Sequence, residues 1–279
     1  MEVNDKRSKL ALRWKSIWRL RSQIPWQISL LLTCFSFLLV LLWYIWKSES
    51  AVGNVSQSTF FPTVSEIVDG AVTIFTDEDK KVWTDIGTSA MRVFTGFLLA
   101  AVIAIPLGIY MGSYRIWEAF MQPIFEFIRY FPVPALIPLL VAIYGVDEES
   151  KIILIFLGTF FQLILMVADE VRRVSEELVK VAYTMGANSI EVLFKVLLPS
   201  ALPGIFDALR LCHGWAWTYV VVAEMIATNE GLGIRIMKFA RFVQMPKVMT
   251  YLLILGMLGL ILDLLFRYIN QKLFHWSKK

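Results

Sequence analysis

Long apolar runs alternate along the chain with shorter polar stretches. Six runs, 24–46, 86–111, 121–144, 151–168, 205–226 and 248–269, are candidates to cross a membrane as helices, since roughly 30 Å of hydrocarbon requires about 20 apolar residues. The fourth is the shortest, and only "GVDEES", Gly145 to Ser150, separates it from the third. Those two runs predict a helical hairpin.

The apolar runs are not uniform. Pro106 and Gly108 interrupt the second, and "RYFPVPALIP" places Pro132, Pro134 and Pro138 in the third. Each proline removes a backbone donor, so the third helix must bend or break. Irregular backbone is tolerated at membrane depth only under cover of protein or beside a water-filled cavity. Two readings follow, a kinked bundle helix or an element lining a pathway.

Between the fourth and fifth runs the pattern changes again. In "DEVRRVSEELVKVAYTMGANS", apolar Val171, Val174, Leu178, Val181 or Ala182, and Met185 recur every three to four residues, with Glu170, Arg173, Glu176, Glu177 and Lys180 elsewhere on the wheel. This predicts an amphipathic helix from Asp169. Gly186 permits a tight reversal, and Asn188 with Glu191 three residues on matches a helix N-cap and its reciprocal partner. A second short apolar face follows in Ile190, Leu193, Phe194 and Leu197, before Pro199 and Pro203 mark the start of the next span. Such a segment either lies in the headgroup layer or docks another protein. The length spent on it, against the short connection at 112–120, favours docking.

Composition agrees with membrane residence. The 279 residues are 57% hydrophobic and 18% charged, with a mean hydropathy of +0.63, too little charge for a soluble surface. The net charge of +4 does not point to nucleic acid, because the basic residues cluster beside apolar runs, where anionic headgroups would meet them. Cys34 and Cys212 each lie inside an apolar run, as small buried side chains rather than a disulfide or metal site.

Charge also orients the chain. Lys6, Arg7, Lys9, Arg13, Lys15, Arg19 and Arg21 precede the first run, which lacks a cleavage pattern and reads as an anchor with its N-terminus cytoplasmic. The 47–85 connection then falls outside, 112–120 inside, Asp147–Glu149 outside, the amphipathic segment inside, and Lys272, Lys278 and Lys279 inside. The outer 227–247 connection carries Arg235, Lys238, Arg241 and Lys247 against the rule, either as solvated or headgroup-facing charge or as a surface for an anionic partner or solute.

Polar residues at depth are few. Arg92 lies one turn inside the second span, from which it can snorkel outward, and Glu126 and Arg129 are spaced to pair. The fifth span carries Asp207, Arg210, His213 and Glu224 with Trp215 and Trp217. Ionisable residues inside a membrane face a bundle interior or a cavity, which makes this span the expected pathway wall. His213 alone reads as readily as a packed, hydrogen-bonded core residue, and Asp263 as facing the interface or a partner helix. An integral membrane enzyme would need a nucleophile–base pair or a carboxylate or histidine cluster. The chain has two histidines and neither an HExxH nor a GxSxG motif.

Ala182, Gly186 and "VLLPSALP" resemble the cytoplasmic EAA loop in the membrane subunits of bacterial ATP-binding-cassette importers. Lys180 and Val181 depart from that motif, where Glu and Ala are commonest. "FFPTVSEI", "RVFTGFLLAAVIAIPLGIYMG", "FPVPALIPLLVAIYGVDEESKI" and "AEMIATNEGLGIRI" are similar to the permease branch for nitrate, sulfonate or taurine, and bicarbonate, and "GLILDLLFRYINQKLF" to its cyanobacterial nitrate and bicarbonate members. The resemblance implies an all-α polytopic type I importer permease fold with six transmembrane helices. It divides the chain into a basic segment 1–23, an anchor 24–46, an extracytoplasmic connection 47–85, a permease core 86–270 with a coupling loop at 169–203, and a basic tail 271–279.

What the resemblance implies of function is a non-enzymatic pore subunit in a bacterial inner membrane, of cyanobacterial type by the closing segment, paired with a second permease subunit, a homodimer being favoured. Two cytoplasmic ATPases would hold ATP and Mg, which this chain does not bind, having no GxxxxGK[ST] loop. A solute-binding protein would deliver a small anion, nitrate or bicarbonate being favoured and taurine or another alkanesulfonate the alternative; an ATP-independent anion channel is the more remote one. Residues Ala182, Gly186, Ala187, Asn188, Ser189, Ile190, Leu193 and Phe194 would meet the ATPase, framed by Leu198, Pro199 and Pro203. Arg129, Pro132, Pro134, Arg210, His213, Trp215, Trp217 and Glu224 would line the pathway.

Overall fold

The computed structural model describes residues 26–51, 60–76, 81–225 and 228–277. The basic stretch 1–23, Lys278 and Lys279 lie outside the described residues. The described chain is helical and falls into two units, 1–64 and 65–279.

In the first unit, α1 (Trp26–Ala51) is apolar over its whole circumference and exposes Leu31, Phe37, Val40 and Trp46. A helix apolar all round belongs in lipid or a core. Its polar end is tied locally, the Tyr44 hydroxyl donating to the Pro62 carbonyl at 2.6 Å. Cys34 is exposed on this helix, contrary to the expected burial, whereas Cys212 is buried.

The second unit contains α2 (Val64–Thr76), α3 (Lys81–Ser113), α4 (Arg115–Ile128), a 3-10 turn (Val133–Leu136), α5 (Ile137–Tyr144), α6 (Glu148–Arg172), α7 (Glu176–Thr184) and α8 (Ser189–Val192). A π turn (Leu193–Leu197) leads from α8 into α9 (Leu198–Glu224), which is followed by α10 (Leu232–Arg241), α11 (Met245–Leu273) and a 3-10 turn (His275–Ser277). Among the described residues five helices are long and apolar enough to span a membrane, and α4 together with Val133–Tyr144, bent by 80° at the break, makes six if that pair is one span. The bend or break expected in the run 121–144 is a break between two helices, with Arg129 to Pro132 in the corner. Pro132 and Pro134 flank the start of the 3-10 turn, where their missing donors cannot extend α4. Two of the connections between expected spans contain helices, α2 and α10.

The core is built on α3 and α6, which run parallel. Gly96, Ala100, Ala104, Gly108 and Gly112 recur every four residues on α3, and small residues at this spacing let two backbones approach. The register is constant. Gly96 faces Ile152, Gly108 faces Ile164 and Gly112 faces Ala168, the same offset of 56 positions that pairs Arg92 with Glu148. A Cβ at Gly108 would lie 2.7 Å from that of Val167. Gly108→Val should therefore force the helices apart, costing about 1–3 kcal/mol by overpacking. It is expected to lower the unfolding temperature of the detergent-solubilised protein, and an unaltered midpoint would contradict this packing.

Candidate functional site

One end of the second unit carries a polar helical hairpin. The amphipathic helix expected from Asp169 is interrupted: α6 runs on to Arg172, and a new helix begins after Ser175, whose hydroxyl accepts from the Glu177 N–H at 3.2 Å. Arg172 donates to Gln122 at 2.7 Å and pairs with Glu118 and Asp169, binding the end of α6 to α4. Arg173 pairs with Glu170.

The reversal that follows is a helix stop and a helix start placed back to back. Gly186 has φ +88°, a left-handed conformation that suits glycine. The Ala187 N–H donates to the Ala182 carbonyl at 3.1 Å and the Gly186 N–H to the Tyr183 carbonyl at 3.0 Å, the two bonds of a Schellman closure. Ala182, Gly186 and Ala187 thus form one structural device. Asn188 at once caps the next helix: its side chain accepts from the Glu191 N–H at 2.9 Å while Glu191 accepts from the Asn188 N–H at 3.1 Å. Both halves of the expected capping box are present.

The hairpin exposes apolar side chains that its own fold leaves uncovered. Ile190 is 66% exposed and Phe194 60%. Leu193, expected beside them on the docking surface, is buried instead, at the start of the π turn that follows α8. Met185, at 83% exposure, together with Leu178, Val181 and Tyr183, enlarges the uncovered surface. Leu178, Val181 and Met185 belong to the apolar face expected of the amphipathic helix, and that face is the uncovered one.

At Pro199 the chain does not begin a separate helix. The Leu198 N–H donates to the Leu193 carbonyl, five residues back, and this π turn absorbs the donor missing at Pro199. Ser189 to Glu224 is therefore one continuous helical rod, with Pro199 and Pro203 inside it.

The opposite end of the unit is fastened by buried charge. Asp85, Ser89 and Arg92 share a face of α3 and are all buried. Arg92 donates to Glu148 at 2.5 and 2.6 Å, to Glu224 at 2.8 Å and to the Glu230 carbonyl at 2.9 Å. It does not snorkel outward as expected; these acceptors and the Thr228 hydroxyl at 3.2 Å hold it inside. Glu224, fully buried, also accepts from the Ser89 hydroxyl at 2.7 Å and the Gly233 N–H at 2.8 Å. Asp85 accepts from the Gly231 N–H at 2.8 Å and pairs with Arg235 at 2.7 Å. Gly231 presses close enough that a Cβ there would lie 2.5 Å from the Glu224 carboxyl. Glu224 is accordingly a pin for the segment leading into α10, corrected from a pathway residue.

Three other pathway candidates are also displaced. His213 is buried among the rings of Phe94, Phe97, Trp217 and Phe266, at centroid distances of 5.0 to 6.4 Å, and its Nε2 accepts from the Trp217 indole at 3.3 Å. Trp217 is part of that core. Arg210 lies 3.6 Å from Asp263 and 3.7 Å from Asp207, binding α9 to α11. His213 and Trp217 are packed into the core and Arg210 is ion-paired, with the His213 Nδ1 and Arg210 Nε left without a hydrogen bond among the described residues; Asp263 has helix partners, Arg210 and Arg267.

Arg129 and Trp215 do meet. The corner of the broken span, the middle of α6 and the C-terminal half of α9 enclose a cleft of about 310 Å³ that includes both residues. The expected pairing of Arg129 with Glu126 is absent among the described residues: Glu126 accepts from Gln122 at 2.8 Å, and Arg129 donates to the Tyr130 hydroxyl at 3.2 Å. The chain leaves α4 at Arg129, so the guanidinium turns away from the helical face that Glu126 occupies.

Residues 104–275 match the family model described as binding-protein-dependent transport system inner membrane component. The chain belongs to this family. It is 41% identical over 191 residues to a chain described as an ABC transporter permease protein of Methanocaldococcus jannaschii, covering 68% of this chain and 72% of the relative. The taurine transport system permease protein TauC of Escherichia coli is 28% identical, covering 98% of this chain and 97% of its own. The nitrate import permease protein NrtB of Leptolyngbya laminosa is 28% identical over 70% of each. Among solved structures, an inward-facing form of the MetNI methionine ABC transporter superposes with a TM-score of 0.57 at 21% identity, over 69% of this chain and 94% of that one. The all-α permease fold expected from the sequence is the fold found.

As an inner membrane component, this permease is a non-catalytic, multi-pass transport subunit. Its fold separates three regions: the polar hairpin, the cleft halfway along the spans, and the charged junction at the far end. The junction was the one missed. Arg92 and Glu224 stand 132 positions apart, and their pairing has no local signal beyond the cost of leaving either charge alone.

Proposed function

We propose that this permease is the pore subunit of an ATP-driven importer for small organosulfonates such as taurine. Two copies would form the pore, with both chain termini cytoplasmic. Two ATPases would hold ATP and Mg and grip the hairpin 169–203, and an extracytoplasmic binding protein would deliver solute at the charged junction. The observation that carries the coupling role is the hairpin's set of exposed apolar side chains, Met185, Ile190 and Phe194, on a turn locked by a Schellman closure and a capping box. An uncovered apolar surface rimmed by charge suits a protein partner.

The sulfonate reading rests on relatives. The likeness to the taurine permease runs almost from end to end, whereas that to the nitrate permease covers 70% of the chain. Sequence reading alone had favoured nitrate or bicarbonate. The test is uptake of labelled taurine, nitrate and bicarbonate by liposomes containing the complex. Taurine uptake is expected, and only with both ATP and binding protein. Flux without either would overturn the importer, and uptake of nitrate or bicarbonate with no taurine uptake would overturn the substrate class.

A further inference from the structure

The cleft at the corner of the broken span has the chemistry of a solute site within the pore. Arg129 has no carboxylate within ion-pairing distance among the described residues, and its polar partner is the neighbouring Tyr130 hydroxyl. Gln162 of α6 and Trp215, Thr218 and Tyr219 of α9 line the same space, and among the described residues none of these four side chains makes a hydrogen bond. Unused donors and one exposed cation without an acidic partner among the described residues thus line a single cleft. Gln162 lies near the middle of α6 (Glu148–Arg172), so the cleft is far from the polar ends of the spans. A charge at such depth needs a counter-ion or water.

The walls narrow the choice of anion. Val133, Leu157 and Phe161 supply apolar surface opposite the polar groups. One guanidinium matches one negative charge, and its fixed fork of donors suits a group with several oxygens. Nitrate or bicarbonate would use the donors and leave the apolar wall uncovered. An alkanesulfonate uses both, its oxygens on Arg129 and the amide and hydroxyl donors, its carbon chain against the wall.

Resting on the importer reading above, we infer that this cleft is a passage site for a monoanionic organosulfonate, with Arg129 as the sulfonate-binding cation. Solute released by the binding protein would pause here before leaving on the other side.

The probe is ethanesulfonate, titrated calorimetrically into the purified permease–ATPase complex without binding protein. Saturable binding is expected. Arg129→Gln should weaken it roughly tenfold or more, the scale of losing a charge-assisted hydrogen bond, while Arg129→Lys retains part of it. Replacing the donors by Gln162→Leu and Thr218→Val should produce a smaller loss. Assembly with the ATPases and the unfolding temperature, measured for each variant, separate a lost site from a lost fold. If wild-type protein does not bind ethanesulfonate, or if a folded Arg129→Gln variant binds it as tightly, the site is overturned, and ATP-dependent taurine uptake by the wild type would still leave the importer reading standing. If nitrate binds as tightly as ethanesulfonate, the organosulfonate assignment is overturned.

Discussion

Arg92→Ala is expected to be among the most destabilising single substitutions in this permease. The guanidinium neutralises Glu224, which is fully buried, and also holds Glu148 and the Glu230 carbonyl. Removing it leaves a carboxylate without a cation, a change that costs about 3–5 kcal/mol when one member of a buried pair is lost. Glu224→Ala should cost less, since Arg92 keeps Glu148, whose side chain is 55% exposed. Arg92→Met combined with Glu224→Met should recover part of the loss, because no charge then stays buried, although the Gly233 N–H still lacks its acceptor. Thermal unfolding of the four proteins in detergent measures the order. Arg92→Ala melting with the wild type would show that the junction does not bear on stability.

Gly186→Val is expected to uncouple the permease from ATP hydrolysis while leaving its insertion intact. Nothing lies within 4 Å of where a Cβ would project, so crowding is not the obstacle. The obstacle is φ +88°, which a β-branched residue does not adopt without strain of about 1–3 kcal/mol. The valine would open the Schellman closure and move Ile190 and Phe194 relative to α7. Stimulation of ATPase activity by the loaded binding protein should fall at least about tenfold, the factor that 1.4 kcal/mol produces, with Gly186→Ala intermediate. Membrane content and unfolding temperature should hold. Full stimulation in the valine variant would remove the hairpin from the coupling contact.

These two sites differ in how far the sequence discloses them. The hairpin is local: Gly186, Asn188 and Glu191 each state a backbone conformation or a bond to a residue at most five positions away, and the reversal follows from chemistry that can be read in order. The broken span was equally local, through Pro132 and Pro134. The junction is not. Asp85, Ser89 and Arg92 are ordinary helix residues until the 228–235 segment is folded against them, and only long-range packing supplies that. His213 shows the same limit from the other side, since an ionisable residue in a span invites a functional reading until four aromatic rings are seen around it. Small residues every four positions from Gly96 to Gly112 mark a close contact on α3, but nothing local names α6 as the helix that makes it.

The π turn before Pro199 gives the permease a lever. Because Ser189 to Glu224 is one continuous helix fastened at its far end through Glu224, a push on the hairpin would tend to pivot it there. At about 1.5 Å of rise per residue, Tyr219 lies roughly 8 Å from that fulcrum and Ile190 roughly 50 Å. A stiff rod so pinned delivers to Tyr219 about one-seventh of the travel imposed at Ile190. The stroke of the ATPases would thus open the space beneath the cleft while its donors hardly move, so that a gate can swing widely without dismantling the seat beside it.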